Sequence, residues 1–141
     1  MTIISESLRS SVATRAGDCC EYCLLPSYGQ VGRFPIDHII PRVLGGRTEL
    51  TNLAFACPHC NAHKWAHVDG IDPHTGQTAP LFNPRLQLWS EHLEWSSDNP
   101  YELQGKSPCG RATISRLQMN HADLMAVRRL LAGLKSGPVT S

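Results

Sequence analysis

Residues 35–64 read PIDHIIPRVLGGRTELTNLAFACPHCNAHK, and the fold turns on how this stretch is understood. It sets Asp37 beside His38, turns at Gly45-Gly46, carries Asn52, and closes on Cys57-Pro-His-Cys60 with Asn61 directly behind. A CxxC turn offers two thiolates to one ion, so its end reads as half of a tetrahedral metal site. The other half lies upstream at Cys20 and Cys23, with 33 residues between the two pairs. A simple zinc ribbon leaves about 15 to 20 residues there. The segment between the pairs is therefore more than a connector, and a metal joining its ends would close it into a compact loop holding an acid, an imidazole and two carboxamides.

Other ligand sets compete at this level. Cys19 can stand in for Cys20, and His63 with His67, four apart on a helix, can complete a set with Cys57 and Cys60. That second set leaves Cys20 and Cys23 without a role. Cys109 has no partner at ligand spacing and reads as an ordinary buried or partly buried thiol.

Working outward, 141 residues suit one domain, expected to span 1–141 as an N-terminal helix at 4–17, a zinc-clamped core at 19–68 and an extension at 69–141 wrapping that core. The chain is 41% apolar but only 6% aromatic, so a structural metal is a natural supplement to the core. A formal charge of +1 excludes a strongly basic nucleic-acid footprint, and any such partner must meet a local patch. No apolar run approaches the ~18 residues of a membrane span. The opening MTIISESLRS lacks a charged region followed by an apolar one, and paired CxxC turns suit a reducing compartment, so the expected location is the cytoplasm.

Ile4, Leu8 and Val12 recur every four residues and predict a helix over 4–16 that stops at Gly17 and packs on the core, with Arg9 and Arg15 as lesser candidates for phosphate contact. Residues 33–40 alternate as a strand, with Phe34, Ile36, His38 and Ile40 on one face and Pro35, Asp37 and Ile39 on the other. An extended return follows over 50–56, then a helix from Pro58 with Asn61, Lys64 and Trp65 along one side. Residues 69–85 read as loop, 86–95 and 101–104 as a strand pair, and 113–118 and 122–134 as helices. Leu124, Val127, Leu131 and Leu134 make a stripe that serves either the core or a homodimer. The last few residues read as disordered.

Together, CEYC, DHIIPRVLGG, LTNLAFACPHCN and the HK that follows resemble the HNH endonucleases, in the zinc-bracketed branch with a ββα-metal (His-Me finger) core. The resemblance covers residues 20–64, and LFNPR and WSEHLEW look like a C-terminal extension of one bacterial subgroup. It implies an α+β fold clamped by Zn2+ on Cys20, Cys23, Cys57 and Cys60. It also makes His38 the general base, Asp37 and Asn61 the ligands of a catalytic Mg2+ or Mn2+, and Asn52 the brace of the loop presenting His38. The third signature position is usually histidine; here it is Asn61.

The chemistry agrees with those residue types. Phosphodiester hydrolysis needs water deprotonated, charge on phosphorus neutralised and the departing oxygen stabilised. An imidazole titrating near neutrality suits the first task, and a hard cation on oxygen ligands suits the others. On a regular strand, however, Asp37 and His38 point to opposite faces, so a twist or bulge is expected at the strand end. Arg42, Arg47, Lys64 and Arg85 are the candidate phosphate contacts on double-stranded DNA. His59, His74, His92 and His121 read as structural or surface residues. The competing reading is a non-catalytic zinc module that binds nucleic acid or a protein; a thiol redox protein using CxxC is the third.

Overall fold

The computed structural model describes residues 4–29 and 32–135, so the expected disorder of the last residues lies outside the described ones. Helix α1 (Glu6–Arg15) starts at Ser5, whose hydroxyl accepts from the Leu8 amide, and gives way to a left-handed Gly17. Val12 is fully buried with Ile4 and Leu8 packed beside it. Arg9 and Arg15 are both engaged by backbone carbonyls. Arg9 donates to the Phe34 carbonyl and Arg15 to those of Leu50 and Leu53, pinning α1 to the segments that follow.

Strand β1 (Ile36–His38) pairs antiparallel with β2 (Leu53–Phe55), matching Ile36 to Phe55, Asp37 to Ala54 and His38 to Leu53. Pro35 and Pro41 bound β1, which shortens the predicted strand from both sides. Its two faces are not core and solvent. Phe34, Ile36, Asp37 and Ile39 are all buried while Ile40 is exposed, because the strand is enclosed on both sides. The return over 50–56 begins as a 3-10 turn, Leu50–Asn52, before β2. Helix α2 (Pro58–Lys64) has Cys57 as its cap and Pro58 in its first turn, so β1, β2 and α2 run as a ββα unit.

Beyond α2 the reading of 69–85 as loop is corrected. β3 (Asp69–Ile71) and β4 (Thr78–Pro80) form a hairpin whose turn is held by Asp72, which accepts from the His74 amide, the Thr75 hydroxyl and both Nε and Nη2 of Arg111. The expected strand over 86–95 is in part the one-turn helix α3 (Trp89–His92), followed by β5 (Leu93–Trp95) paired with β6 (Leu103–Gly105). Helix α4 (Pro108–Arg116) starts five residues earlier than read, on a Ser107 cap. In α5 (Ala122–Lys135), Leu124 is buried and Val127 and Leu131 pack on the core, so most of the apolar stripe is used within the chain; Leu134 stays exposed. One buried cluster runs from Val12 through the four ligand-spaced cysteines to Met119 and Leu124. The fold is a mixed α+β arrangement of small antiparallel sheets and helices around that cluster.

Candidate active site

The sulfurs of Cys20, Cys23, Cys57 and Cys60 lie within 4.8 Å of one another and all four residues are buried. Cys23 Sγ is 3.7 Å from Cys57 Sγ, and zinc at about 2.3 Å from each of four tetrahedral thiolates sets sulfurs about 3.8 Å apart. Both turns have the local form of thiolate ligands: Cys20 Sγ faces the Cys23 amide and Cys57 Sγ the Cys60 amide. Contacts with Cys20, Cys23 and Cys57, then burial, raise the Cys60 thiol well above its ordinary value. Four crowded thiolates need a cation, and the cluster is compatible with zinc.

The rival set is excluded by geometry. His63 Nδ1 meets the His59 carbonyl at 2.8 Å, His67 Nε2 faces Arg116, and neither ring joins the cluster, nor does Cys19. His59 stacks on His63 at 4.1 Å and His92 bonds the Ser107 hydroxyl. Cys109 is a buried thiol facing Gln87.

A shallow cavity of about 270 Å3 opens between β1, the Arg42–Leu44 turn and α2, lined by residues that include Asp37, His38, Arg42, Asn61 and Trp65. Asp37 and His38 reach one cavity without a bulge, since the β1–β2 register is regular. His38 is half-buried and its Nε2 lies 2.8 Å from the Thr48 hydroxyl, which fixes the ring. Burial first, then the Arg42 and Lys64 charges, lower the imidazole below its ordinary 6.5, against a raising effect of Asp37. The ring is neutral at neutral pH, the form in which it accepts a proton.

Asn52 uses its whole carboxamide on the loop behind His38. Its Oδ1 accepts from the Ile40 amide at 2.8 Å, and its Nδ2 donates to the carbonyls of Ile40 at 3.0 Å and Arg47 at 2.9 Å. The paired glycines follow from that closeness. Gly45 sits at φ +92, and a Cβ on Gly46 would meet the Ile40 oxygen at 1.7 Å.

Asp37 is 4% exposed. Tyr22 donates to it at 2.6 Å, and the Lys64 ammonium, 1% exposed, lies 3.1 Å from its Oδ2 and also donates to the His38 and Ile39 carbonyls. Burial pushes the Asp37 carboxyl above its ordinary 3.8 while Lys64 and then Tyr22 hold it back. Burial pushes the Tyr22 hydroxyl far up, so it stays a donor.

Lys64, expected to meet phosphate, is thus an interior residue. Arg85 is likewise turned inward, paired with Glu21 and donating to the Leu53 carbonyl. Arg42 and Arg47 remain exposed. Trp65 does not continue the helix: it follows α2 at φ +47 with its ring 75% exposed at the cavity rim. Thr48 and Tyr22 were missed in the sequence, because one hydroxyl beside a glycine turn and one tyrosine between two cysteines carry no periodic or spacing signal.

The two residues expected to hold a catalytic ion, Asp37 and Asn61, both line this cavity, and both Asp37 carboxylate oxygens already bond Tyr22 or Lys64. The Asn61 carboxamide has no partner among the described residues, and a carboxylate with about four lone-pair sites retains capacity beyond its Tyr22 and Lys64 contacts. A hard divalent ion that keeps most of its water fits such a set.

Residues 20–66 match the family model described as HNH endonuclease, in keeping with the resemblance carried by the sequence motifs. A curated relative, Septu protein PtuB from Bacillus thuringiensis, is 26% identical over 123 residues, covering 83% of this chain and 42% of that protein. The chain therefore spans less than half the length of the relative it matches. No solved structure matches it. Among the described residues no helix is long and apolar enough to cross a membrane.

Proposed function

We propose that this chain is a metal-dependent endonuclease that hydrolyses DNA phosphodiester bonds, acting on duplex with weak sequence preference and leaving 5′-phosphate and 3′-hydroxyl ends. The observation that supports this reading is the single cavity lined by His38, Asp37 and Asn61, with the His38 imidazole lowered by burial and the Asn61 carboxamide unpartnered among the described residues. His38, its ring held by Thr48, takes the proton from the attacking water. Asn52 keeps the loop that presents it in place. Asp37 and Asn61 are the residues that would hold Mg2+ or Mn2+; when bound, such an ion supplies charge stabilisation at phosphorus and at the leaving oxygen.

Arg42 at the cavity and Arg47 on the adjoining turn hold backbone phosphates, which gives affinity without base choice. The exposed Trp65 ring at the rim offers a face for an unstacked base. Lys64 and Arg85 have no part in substrate contact. The four-cysteine zinc is structural, and residues 69–135 complete a single nuclease domain by closing over the ββα unit.

The test is nicking of supercoiled plasmid by the native chain and His38→Ala with Mg2+, Mn2+ or EDTA. Metal-dependent nicking that falls by about 100-fold or more in the variant is expected for the loss of a general base. No cleavage by either protein, with zinc bound and DNA retained in a gel shift, overturns it in favour of a zinc-dependent binding module.

A further inference from the structure

Away from the His38 cavity, α5, the zinc-turn loop and the β5–β6 connection line an open, largely apolar cavity of about 370 Å3 with walls that include Leu25, Tyr28, Trp95, Tyr101 and Leu131. Into this wall the fold builds Arg128, 8% exposed. Its Nη1 donates to the Tyr101 carbonyl at 2.8 Å and its guanidinium carbon lies 5.4 Å from the centre of the Trp95 ring. Two contacts therefore fix the plane of the guanidinium. Nε and Nη2 are buried and have no acceptor among the described residues.

Those two nitrogens are not an arbitrary pair. They form one edge of the guanidinium, the edge that grips both oxygens of a planar acid side-on. This chain uses the same edge elsewhere: Arg111 holds Asp72 through Nε to Oδ1 and Nη2 to Oδ2, both at 2.9 Å. Arg128 keeps that fork without an acid, its two nitrogens closed off beneath the cavity wall until a rim side chain moves.

We infer that Arg128 and its cavity form a binding site for a small monocarboxylate carried on an apolar or aromatic body. A single guanidinium matches one negative charge, and the site holds no second buried cation to match a phosphate dianion. Leucine and aromatic walls take the apolar part, and the volume falls in the range of small-molecule sites. Leaving two guanidinium donors buried and unbonded costs free energy that a carboxylate returns. Tyr28 at 66% and Trp95 at 41% exposure stand at the rim, where side-chain rotation admits the acid to the fork. The inference is independent of the nuclease reading.

The experiment is a 1H–15N NMR titration of the full, zinc-loaded chain with phenylacetate, phenylacetamide and phenyl phosphate. The Trp95 indole and Arg128 Nε–H signals are followed, the indole assigned with Trp95→Phe. Phenylacetate is expected to move both signals saturably, phenylacetamide to bind roughly tenfold more weakly or worse, and Arg128→Lys, which keeps charge but not the fork, to lose most of the effect. Arg128→Met extends the series where it folds with zinc bound. An unmoved Nε–H, equal binding of acid and amide, or tighter binding of phenyl phosphate overturns the assignment.

Discussion

Lys64→Met removes a cation from the interior and leaves its partner behind. In the native chain the ammonium is 3.1 Å from Asp37 Oδ2 and also donates to the His38 and Ile39 carbonyls, with both ionic side chains almost fully buried. Breaking one side of such a pair costs about 3 to 5 kcal/mol. That is a large share of the roughly 5 to 15 kcal/mol that holds a domain together. At roughly 2 to 4 °C per kcal/mol for a chain of this size, the midpoint should fall by about 10 °C. The pH dependence carries the diagnosis. Burial already raises the Asp37 carboxyl and Lys64 is the main brake on that rise, so the variant raises it further. Between the unfolded and the raised folded value the folded state holds a proton that the unfolded state has lost, and stability then falls as pH increases. The deficit should be greatest at neutral pH and shrink as Asp37 protonates. Urea unfolding of zinc-loaded protein at several values between about pH 5.5 and 8 reads this directly. Adding Asp37→Asn should recover most of the loss. A Lys64→Met protein within about 0.5 kcal/mol of native, as for a surface lysine, and flat with pH would refute the reasoning.

The acid limb of kcat/KM on plasmid should lie below 6.5, because burial lowers His38, and Arg42→Gln should move it upward by removing a charge that lowers it further. A limb above 6.5, or one that Arg42→Gln leaves in place, speaks against His38 as the base. Thr48→Val should slow kcat by roughly tenfold while leaving KM and thermal stability nearly unchanged, since the hydroxyl orients the ring and closes no core contact. Chelation of zinc should abolish far-UV and near-UV circular dichroism together, with about one zinc released per chain. Gly46→Ala should cost about 1 to 3 kcal/mol because its methyl has no room against the Ile40 carbonyl, whereas Gly133→Ala in α5, with open space around it, should gain about 0.5 to 1 kcal/mol in the same unfolding assay.

Legibility followed the kind of signal each element carries. Fixed spacing marks the two cysteine pairs at 20–23 and 57–60 and the Gly45-Gly46 turn, and the structure gathers the four sulfurs and turns the chain there. The β3–β4 hairpin left no trace because its strands are three residues long, alternate weakly and include Pro80. The start of α4 was hidden by two apparent breakers. Pro108 occupies the first turn, where its missing N–H costs nothing, and Gly110 is there because a Cβ would meet the His92 carbonyl at 1.8 Å. Lys64 was misplaced for a different reason. Its charge argues for the surface, and only the tertiary position of Asp37 shows why it is inside.

That inward lysine bears on why Asn61 can be held at all. Helix α2 has seven residues, too few to be stable on propensity alone, so something outside it must set its position. Its N-terminal end carries Cys57 and Cys60 into the four-sulfur cluster, and its C-terminal end carries Lys64 to Asp37 and to two β1-side carbonyls. Asn61 lies between those anchors, and β1 supplies Asp37 and His38 against the second one. Zinc and ion pair thus act on the same short helix from opposite ends. Losing either should loosen Asn61 relative to His38, although neither Lys64 nor any of the four cysteines lines the cavity in which those two side chains meet.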